Sequence, residues 1–178
     1  FLNVYRGPDI VYAATAMVGL TPQEDKVLKP SDKLAAGRWF EPGDEEVCIL
    51  PTRMAEKLGV TPEEVGTATV EVFGVPLRVI GLAHTSRFKK LLDLDGEQLT
   101  PVDYLLMQEQ QQGQQQAMSE DELREYIHLD PDQVLLVPYD FAINTGATLR
   151  SIAIGGFASG AQVYQRLDDL MRRVELNI

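Results

Sequence analysis

The chain has 178 residues, 44% of them hydrophobic and 24% charged, with a formal net charge of -11. That length suits one domain or two small ones with a real core, and the acidic balance argues against nucleic acid, whose phosphates need clustered Lys and Arg, and against anionic lipid surfaces. A single cysteine, Cys48, excludes an intrachain disulfide and a Cys-rich metal site, and fits either the cytosol or a periplasmic domain that needs no cross-links.

No segment has the about 20 apolar residues that cross a bilayer. The run Ile10 to Leu20 is too short and contains Tyr12 and Thr15. There is no initiating Met and no basic-then-apolar leader, so Phe1 is expected to be a processing boundary and the chain a piece of something larger.

In chain order, "FLNVYR" and "IVYAATAMVGL" (10 to 20) read as two strands, with turn chemistry from "GPD" between them. The polar connection "TPQEDKVLKPSDKLAAG" holds at most a helical turn. Glu46 to Leu50 is a short apolar strand. "PTRMAEKLG" is a small helix with Met54 and Leu58 on one face and Gly59 as its stop. Thr61 and Glu64 have capping-box spacing, but Gly66 follows so soon that a single turn is predicted. Thr67 to Phe73 alternates, with Val70 and Val72 on one side and Thr69 and Glu71 on the other, and Leu77 to Ala83 returns. This is a β-hairpin.

From Thr85 to Asp132 the pattern changes. Ser86 is placed to cap a helix carrying Phe88, Leu91 and Leu92 as an apolar stripe. "QEQQQGQQQ" (108 to 116) holds seven Gln and reads as a flexible segment or a solvated helix. Ser119 and Glu122 cap a second helix with Leu123, Tyr126 and Ile127 on its face. The whole region reads as an insertion, its stripes packed on the neighbouring lobe or exposed as an arm toward a partner. "QVLLVP" is then a buried strand, Tyr139 to Thr145 a helical or looped connection, Leu149 to Phe157 a strand, and Val163 to Val174 an amphipathic helix. Strands and helices mix without strict alternation, which defines an α+β fold.

Chemistry is sparse. No phosphate-binding glycine loop occurs, so no nucleotide or other cofactor is expected. "GFASG" (156 to 160) puts Ser159 one place too late for a nucleophile elbow, leaving it as a helix cap. His84, past a strand end, and His128, inside a predicted helix, have no second ligand at metal-binding spacing. "DLDGEQLTPVD" has its glycine in the wrong place for a calcium loop. Cys48 is expected to be packed and inert, and Asp44, Glu45 and Glu46 to form a solvated acidic surface. No catalytic or metal-binding residue is assigned.

The stretch from Ala35 to Ala83 resembles the extracytoplasmic core of MacB/FtsX-type ABC transporter permeases. The resemblance lies in a small residue, then Gly37, Arg38, Trp39 and Phe40, an acidic turn at Asp44, the strand Val47 to Leu50, a helix ending Leu58–Gly59, then Gly66, Gly74, and Val79 to Leu82 around Gly81. "LNVYRGPDIVYAATAMVGLTP", "VLLVPYDFAINTG" and "LRSIAIGGFASGAQVYQRLDDLMRR" are similar to the elements that flank that core. The family's usual first strand and helix have no counterpart before Phe1, and the insertion is longer than the usual connection.

The resemblance implies two lobes: a Porter-like α/β lobe from residues 1–32 and 134–178, and a smaller, β-rich, Sabre-like lobe from 33–133 that carries the insertion at about 85–132. It implies a module on the periplasmic face of the cell membrane, anchored by transmembrane helices outside this sequence and partnered through them with a cytoplasmic ABC ATPase. A periplasmic protein or a second permease copy is the other partner it suggests. Phe88, Leu91 and Leu92 are the candidate interaction residues; Gly37, Arg38, Trp39, Phe40, Gly59, Gly66 and Gly81 are structural. Two other readings stand beside it: a soluble interaction or adaptor domain of unrelated ancestry, and a hydrolase built from scattered carboxylates and His84. Spanning apolar helices in the flanking gene sequence would decide for the permease.

Overall fold

The computed structural model describes residues 2–92, 96–113 and 127–148. Those residues belong to one compact unit, Phe1–Thr148. The predicted helix at Ser119, most of its stripe, the strand from Leu149, Ser159 and the final amphipathic helix lie outside the described residues.

An eight-stranded mixed sheet organises the unit. Its strands are β1 (Leu2–Arg6), β2 (Ile10–Ala14), β3 (Ala16–Leu20), β4 (Leu34–Gly37), β5 (Val47–Pro51), β6 (Thr69–Val72), β7 (Val75–Ala83) and β8 (Val134–Pro138). The order is β2-β1-β6-β7-β5-β8-β3, with β4 also paired to β7. The helices are α1 (Glu24–Val27), α2 (Thr52–Leu58), α3 (Thr85–Phe88), α4 (Tyr104–Gly113) and α5 (Tyr139–Asn144).

The central strands are buried on both faces, so they read as continuous apolar runs. Alternation then divides their side chains between two cores. Cys48, Leu50, Leu135, Val137, Leu77 and Val79 join Met54, Ala55 and Leu58 of α2 and Phe141 and Ala142 of α5 on one face. Val47, Ile49, Val134, Leu136 and Ile80 join Trp39, Phe40, Phe88 and Leu91 on the other.

Several sequence expectations change. The predicted strand 10 to 20 breaks at Thr15, whose N–H goes to Gln133 O (2.8 Å) and whose hydroxyl goes to Gln133 Oε1 (2.6 Å). That swap of partner sends β2 antiparallel along β1 and β3 parallel along β8, at the two opposite ends of the strand order. β4 emerges from a stretch read as a polar connection, because its pairing with the distant β7 supplies the order that local pattern lacks. α3 begins one residue before Ser86: His84 is its N-cap, and its carbonyl accepts from the Arg87 and Phe88 amides. His128 lies in extended chain bridged to Val102 rather than in a helix. The Gln run is helical through Gly113, in a helix whose first turn is capped by Asp103. α2 with its Gly59 stop, the turn at Pro62–Glu64 and the β6–β7 hairpin are formed as read.

Two ladders in the sheet are short. β1 meets β6 only through Val4↔Val72 and Tyr5↔Glu71, and β5 meets β8 only through Ile49↔Leu136. By contrast β3 pairs with β8 along its whole length. α5 closes on β3 at Gly19, where a Cβ would lie 2.5 Å from Ala142 Cβ and 3.1 Å from Tyr139 Cα. Gly19→Val should therefore overpack this contact and cost about 1–3 kcal/mol. The check is the midpoint of urea unfolding; an unchanged midpoint would mean that α5 is free to retreat from the strand.

Candidate functional site

The residues singled out in the sequence converge at the end of β4. Gly37 and Gly81 are register partners, and Gly37 has φ +81°. A Cβ on Gly37 would lie 2.1 Å from Ile80 O and 2.7 Å from Gly81 Cα, and one on Gly81 would lie 2.9 Å from Arg38 O. Two backbones thus cross where only glycine leaves room. The crossing lets Arg38 N–H donate to Ile80 O (3.0 Å) and turns the next two residues inward.

Trp39 and Phe40 are both buried, with ring centroids 5.1 Å apart and planes tilted by 60°. That geometry suits the ring quadrupoles. The indole N–H donates to Thr21 O (3.3 Å), which ties the pair to the chain just after β3. Phe88 and Leu91 lie in the same cluster, while Leu92 is 47% exposed. Two of the three candidate interaction residues are therefore core.

Arg38 stays at the rim. Its guanidinium forks onto Asp44 (Nη1–Oδ2 2.7 Å, Nη2–Oδ1 2.9 Å) and Nη1 also donates to Trp39 O (2.9 Å). Asp44 accepts Glu41 N–H as well (2.8 Å). The Arg38 hydrogen bonds hold the Asp44 carboxyl below the ordinary range against the opposing effect of burial, and the same bonds raise Arg38. Asp44 is thus a closed clamp and not part of a solvated acidic surface; Glu45 and Glu46 are exposed as expected. The acidic turn looked like plain surface because its partner lies six residues upstream across a segment that is neither helix nor strand, where no period pairs them.

Gly59 and Gly66 lie elsewhere, at the two ends of a second construction around α2. Arg6, from β1, donates to the carbonyls of Leu58 and Gly59 and to Glu64 Oε1 (2.6 Å). A cation at a helix C-terminus satisfies orphan carbonyls and opposes the helix dipole. Glu64 is held below its ordinary range by the Thr61 N–H and then by Arg6. Gly66 N–H donates to Val79 O (2.7 Å) and docks this turn on β7.

At the other end of α2, Arg53 Nη1 reaches Asp132 Oδ2 (3.2 Å). Asp132 is buried, and its second oxygen accepts the hydroxyl of Thr85, which lies 3.3 Å from that of Thr52. Tyr12 OH donates to the Asp132 carbonyl (3.2 Å), and burial followed by the charges of Asp132 and Asp130 raises the Tyr12 pKa. Asp132 was missed in the sequence. Its signal was a carboxylate placed directly before a wholly apolar strand, where a charge needs partners to be buried.

Both histidines and the cysteine also have defined surroundings. His128 places Nδ1 at Thr100 O (2.5 Å) and Nε2 at Glu97 Oε2 (3.0 Å). His84 Nδ1 lies 3.2 Å from Ser86 Oγ. Cys48 is fully buried and its thiol pKa is pushed up by that burial. Among the described residues no three His, Cys, Asp or Glu side chains gather to hold a metal, and no helix is long and apolar enough to cross a membrane.

What these contacts define is a mixed α/β scaffold whose distinctive residues build junctions between its parts. No protein-family model and no curated protein matches the sequence. Among solved structures it is similar to the periplasmic region of MacB from Actinobacillus actinomycetemcomitans, with 16% identity and a TM-score of 0.55 over 97% of this chain and 62% of that one. The chain therefore has a MacB-type periplasmic fold and spans less than two thirds of the MacB region it matches. It is also similar, with 17% identity and a TM-score of 0.41 over 81% of this chain and 52% of that one, to the extracellular domain of the noncanonic ABC-type transporter YknZ from Gram-positive bacteria, a likeness too slight to add to the argument.

Two outcomes follow from the junctions. Trp39→Ala and Phe40→Ala should each cost about 3–5 kcal/mol of unfolding free energy; stability unchanged in both would remove the aromatic pair from the core. Because Asp44 titrates lower folded than unfolded, its contribution is present above the unfolded carboxylate value of about 3.9 and is lost as pH falls through the folded one. Asp44→Asn should cost about 1–3 kcal/mol at neutral pH and flatten the acid side of the stability curve. Urea titrations between acid and neutral pH measure both; an acid limb identical to wild type would contradict the clamp.

Proposed function

We propose that this chain is an extracytoplasmic module of an ABC transporter permease. In this reading it binds a substrate or partner protein outside the membrane and transmits to it the ATP-driven motion of membrane helices, with the ATPase in a separate cytoplasmic domain or subunit. The observation that carries the proposal is the MacB-type periplasmic fold over nearly the whole chain. Its acidic surface, with a net charge of -11, suits a protein or small-molecule partner better than phosphate-rich ones.

The two-lobed division, 1–32 with 134–178 and 33–133, belongs to the same proposal. Its support is physical. The two short ladders, β1–β6 and β5–β8, are the places where strands on either side of those boundaries meet. Across the same boundary Arg6 holds the C-terminal end of α2 and Tyr12 OH donates to the Asp132 carbonyl. Few ladder hydrogen bonds and one charged clip make a junction that shifts with less loss than a fully paired sheet would. Phe88 and Leu91 in this reading hold the insertion to the middle lobe, leaving Leu92 for a partner.

The topology is tested in cells making the full-length parent with Glu63→Cys. Glu63 is exposed and Cys48 is fully buried, so this segment adds no background, and the parent without the substitution is the reference. A membrane-impermeant maleimide is expected to label intact cells. Labelling only after lysis would overturn the extracytoplasmic assignment. The 178-residue chain itself is expected to give no calorimetric heat of binding with Mg-ATP; micromolar binding would place nucleotide chemistry in this module and contradict the proposal.

A further inference from the structure

β1 and β6 separate before either strand ends. Their ladder stops at Tyr5↔Glu71, while β6 reaches back to Thr69 and β1 runs on to Arg6 and the turn at Gly7. Between them lies an open cavity of about 390 Å³, walled by Tyr5, Pro8, Thr69, Glu71 and Pro76. Gly7 borders it too and leaves room, since a Cβ built there would meet nothing within 4 Å.

Three kinds of group face this cleft. The first is main chain. Val79 N–H donates to Ala68 O (2.9 Å), so Ala68, Val70 and Val72 turn their N–H and C=O toward β7, and Thr69 and Glu71 turn theirs toward β1. Glu71 meets Tyr5 there. Beyond the end of the ladder the N–H and C=O of Thr69 open on the cleft. The second is a carboxylate. Glu71 is exposed, and its side chain has no hydrogen bond or ion pair among the described residues. The bases on β1, β2, β6 and β7 are Arg6 and Arg78, and both act elsewhere: Arg6 bonds Gly59 O and Glu64, and Arg78 is one of the charges that lower the Asp44 pKa. The third is apolar: the two prolines and the Tyr5 ring, whose hydroxyl accepts from Asn3 Nδ2 (3.2 Å).

Such a set selects its ligand. A primary ammonium brings one positive charge and three N–H donors. Glu71 and the Thr69 carbonyl accept, and the Tyr5 oxygen keeps a lone pair beside the bond from Asn3. Carbon atoms behind the nitrogen can lie on the prolines and on the ring, whose face also attracts cations. The field acts the same way: the chain carries -11, and exposed Asp9 directly follows Pro8, so cations gather here and anions are repelled. A neutral sugar would leave the charge of Glu71 unanswered.

We propose that the cleft between β1 and β6 is a binding site for a small primary ammonium compound, its nitrogen on Glu71 and the Thr69 carbonyl and its carbon body against Tyr5, Pro8 and Pro76. The inference rests on the sheet and not on transport, so its failure would leave the permease reading untouched. The probe is n-butylammonium chloride, titrated into the 178-residue chain at constant ionic strength and followed by amide NMR. Saturable shifts of the Gly7, Thr69 and Glu71 amides are expected, with half-saturation on the order of 1 mM, which suits so small a ligand. Glu71→Gln should weaken binding at least about tenfold at an unchanged melting temperature, the loss expected for a charge-assisted hydrogen bond. Glu63→Gln, which removes an exposed acid elsewhere, should bind as wild type. Butylammonium that fails to saturate these amides by about 10 mM overturns the proposal. Equal weakening by Glu63→Gln and Glu71→Gln also overturns it, because it would mean diffuse attraction to an acidic surface. So would saturable shifts of the same amides by 1-butanol or glucose at the concentrations where butylammonium acts, because the cleft would then not be reading the charge.

Discussion

The crossing of Gly37 and Gly81 sets the terms for the rest of the unit. With backbones this close, β4 can pair with β7 only if neither partner carries a Cβ, and β4 can leave the sheet only through the positive φ of Gly37. That departure aims Trp39 and Phe40 into the second core and places Arg38 where it can both bond Ile80 O and fork onto Asp44. The close approach that only glycine permits thereby places two buried rings and a charge-assisted clamp. Without the crossing, the aromatic pair has no route to the cluster that also holds Phe88, Leu91 and the inner faces of β5 and β8.

The opposite core is organised differently. There the central strands meet α2 and α5, and apolar area supplies the cohesion. Polar contacts hold both ends of α2, through Arg6 and Asp132. One face of the sheet is thus fastened through a single tight crossing and the other through a helix clipped at both ends. Two of the sheet's ladders are meanwhile reduced to one or two named pairs. The unit thus joins continuous cores by short hydrogen-bonded seams.

Local pattern in the sequence located what local physics decides. α2 with its left-handed Gly59 stop, the turn at Thr61 to Glu64, the alternating β6 and the apolar β5 and β8 were legible because capping, period and apolar runs are properties of neighbours in sequence. Pairing was not legible. Nothing within residues 10 to 20 says that Thr15 will give its amide to Gln133 and split the run between opposite ends of the sheet order. Nor does "LAAG" announce a strand until β7 is beside it. Asp44 and Asp132 were hidden for the same reason: their partners are set by the fold, so they looked like ordinary surface acids. The aromatic pair was legible as a core anchor, yet its dependence on Gly81, more than forty residues away, was visible only as a resemblance.

If the crossing is the constraint described, the Arg38 amide, bonded to Ile80 O just beyond Gly37, opens only when the whole unit unfolds. Native-state hydrogen exchange of that single amide is the most direct measurement. The account expects its opening free energy to equal that of the slowest amides of β5 and β7 and to fall in step with them as denaturant is added. Exchange through a low-energy local opening, insensitive to denaturant and as fast as that of the exposed turns, would contradict it.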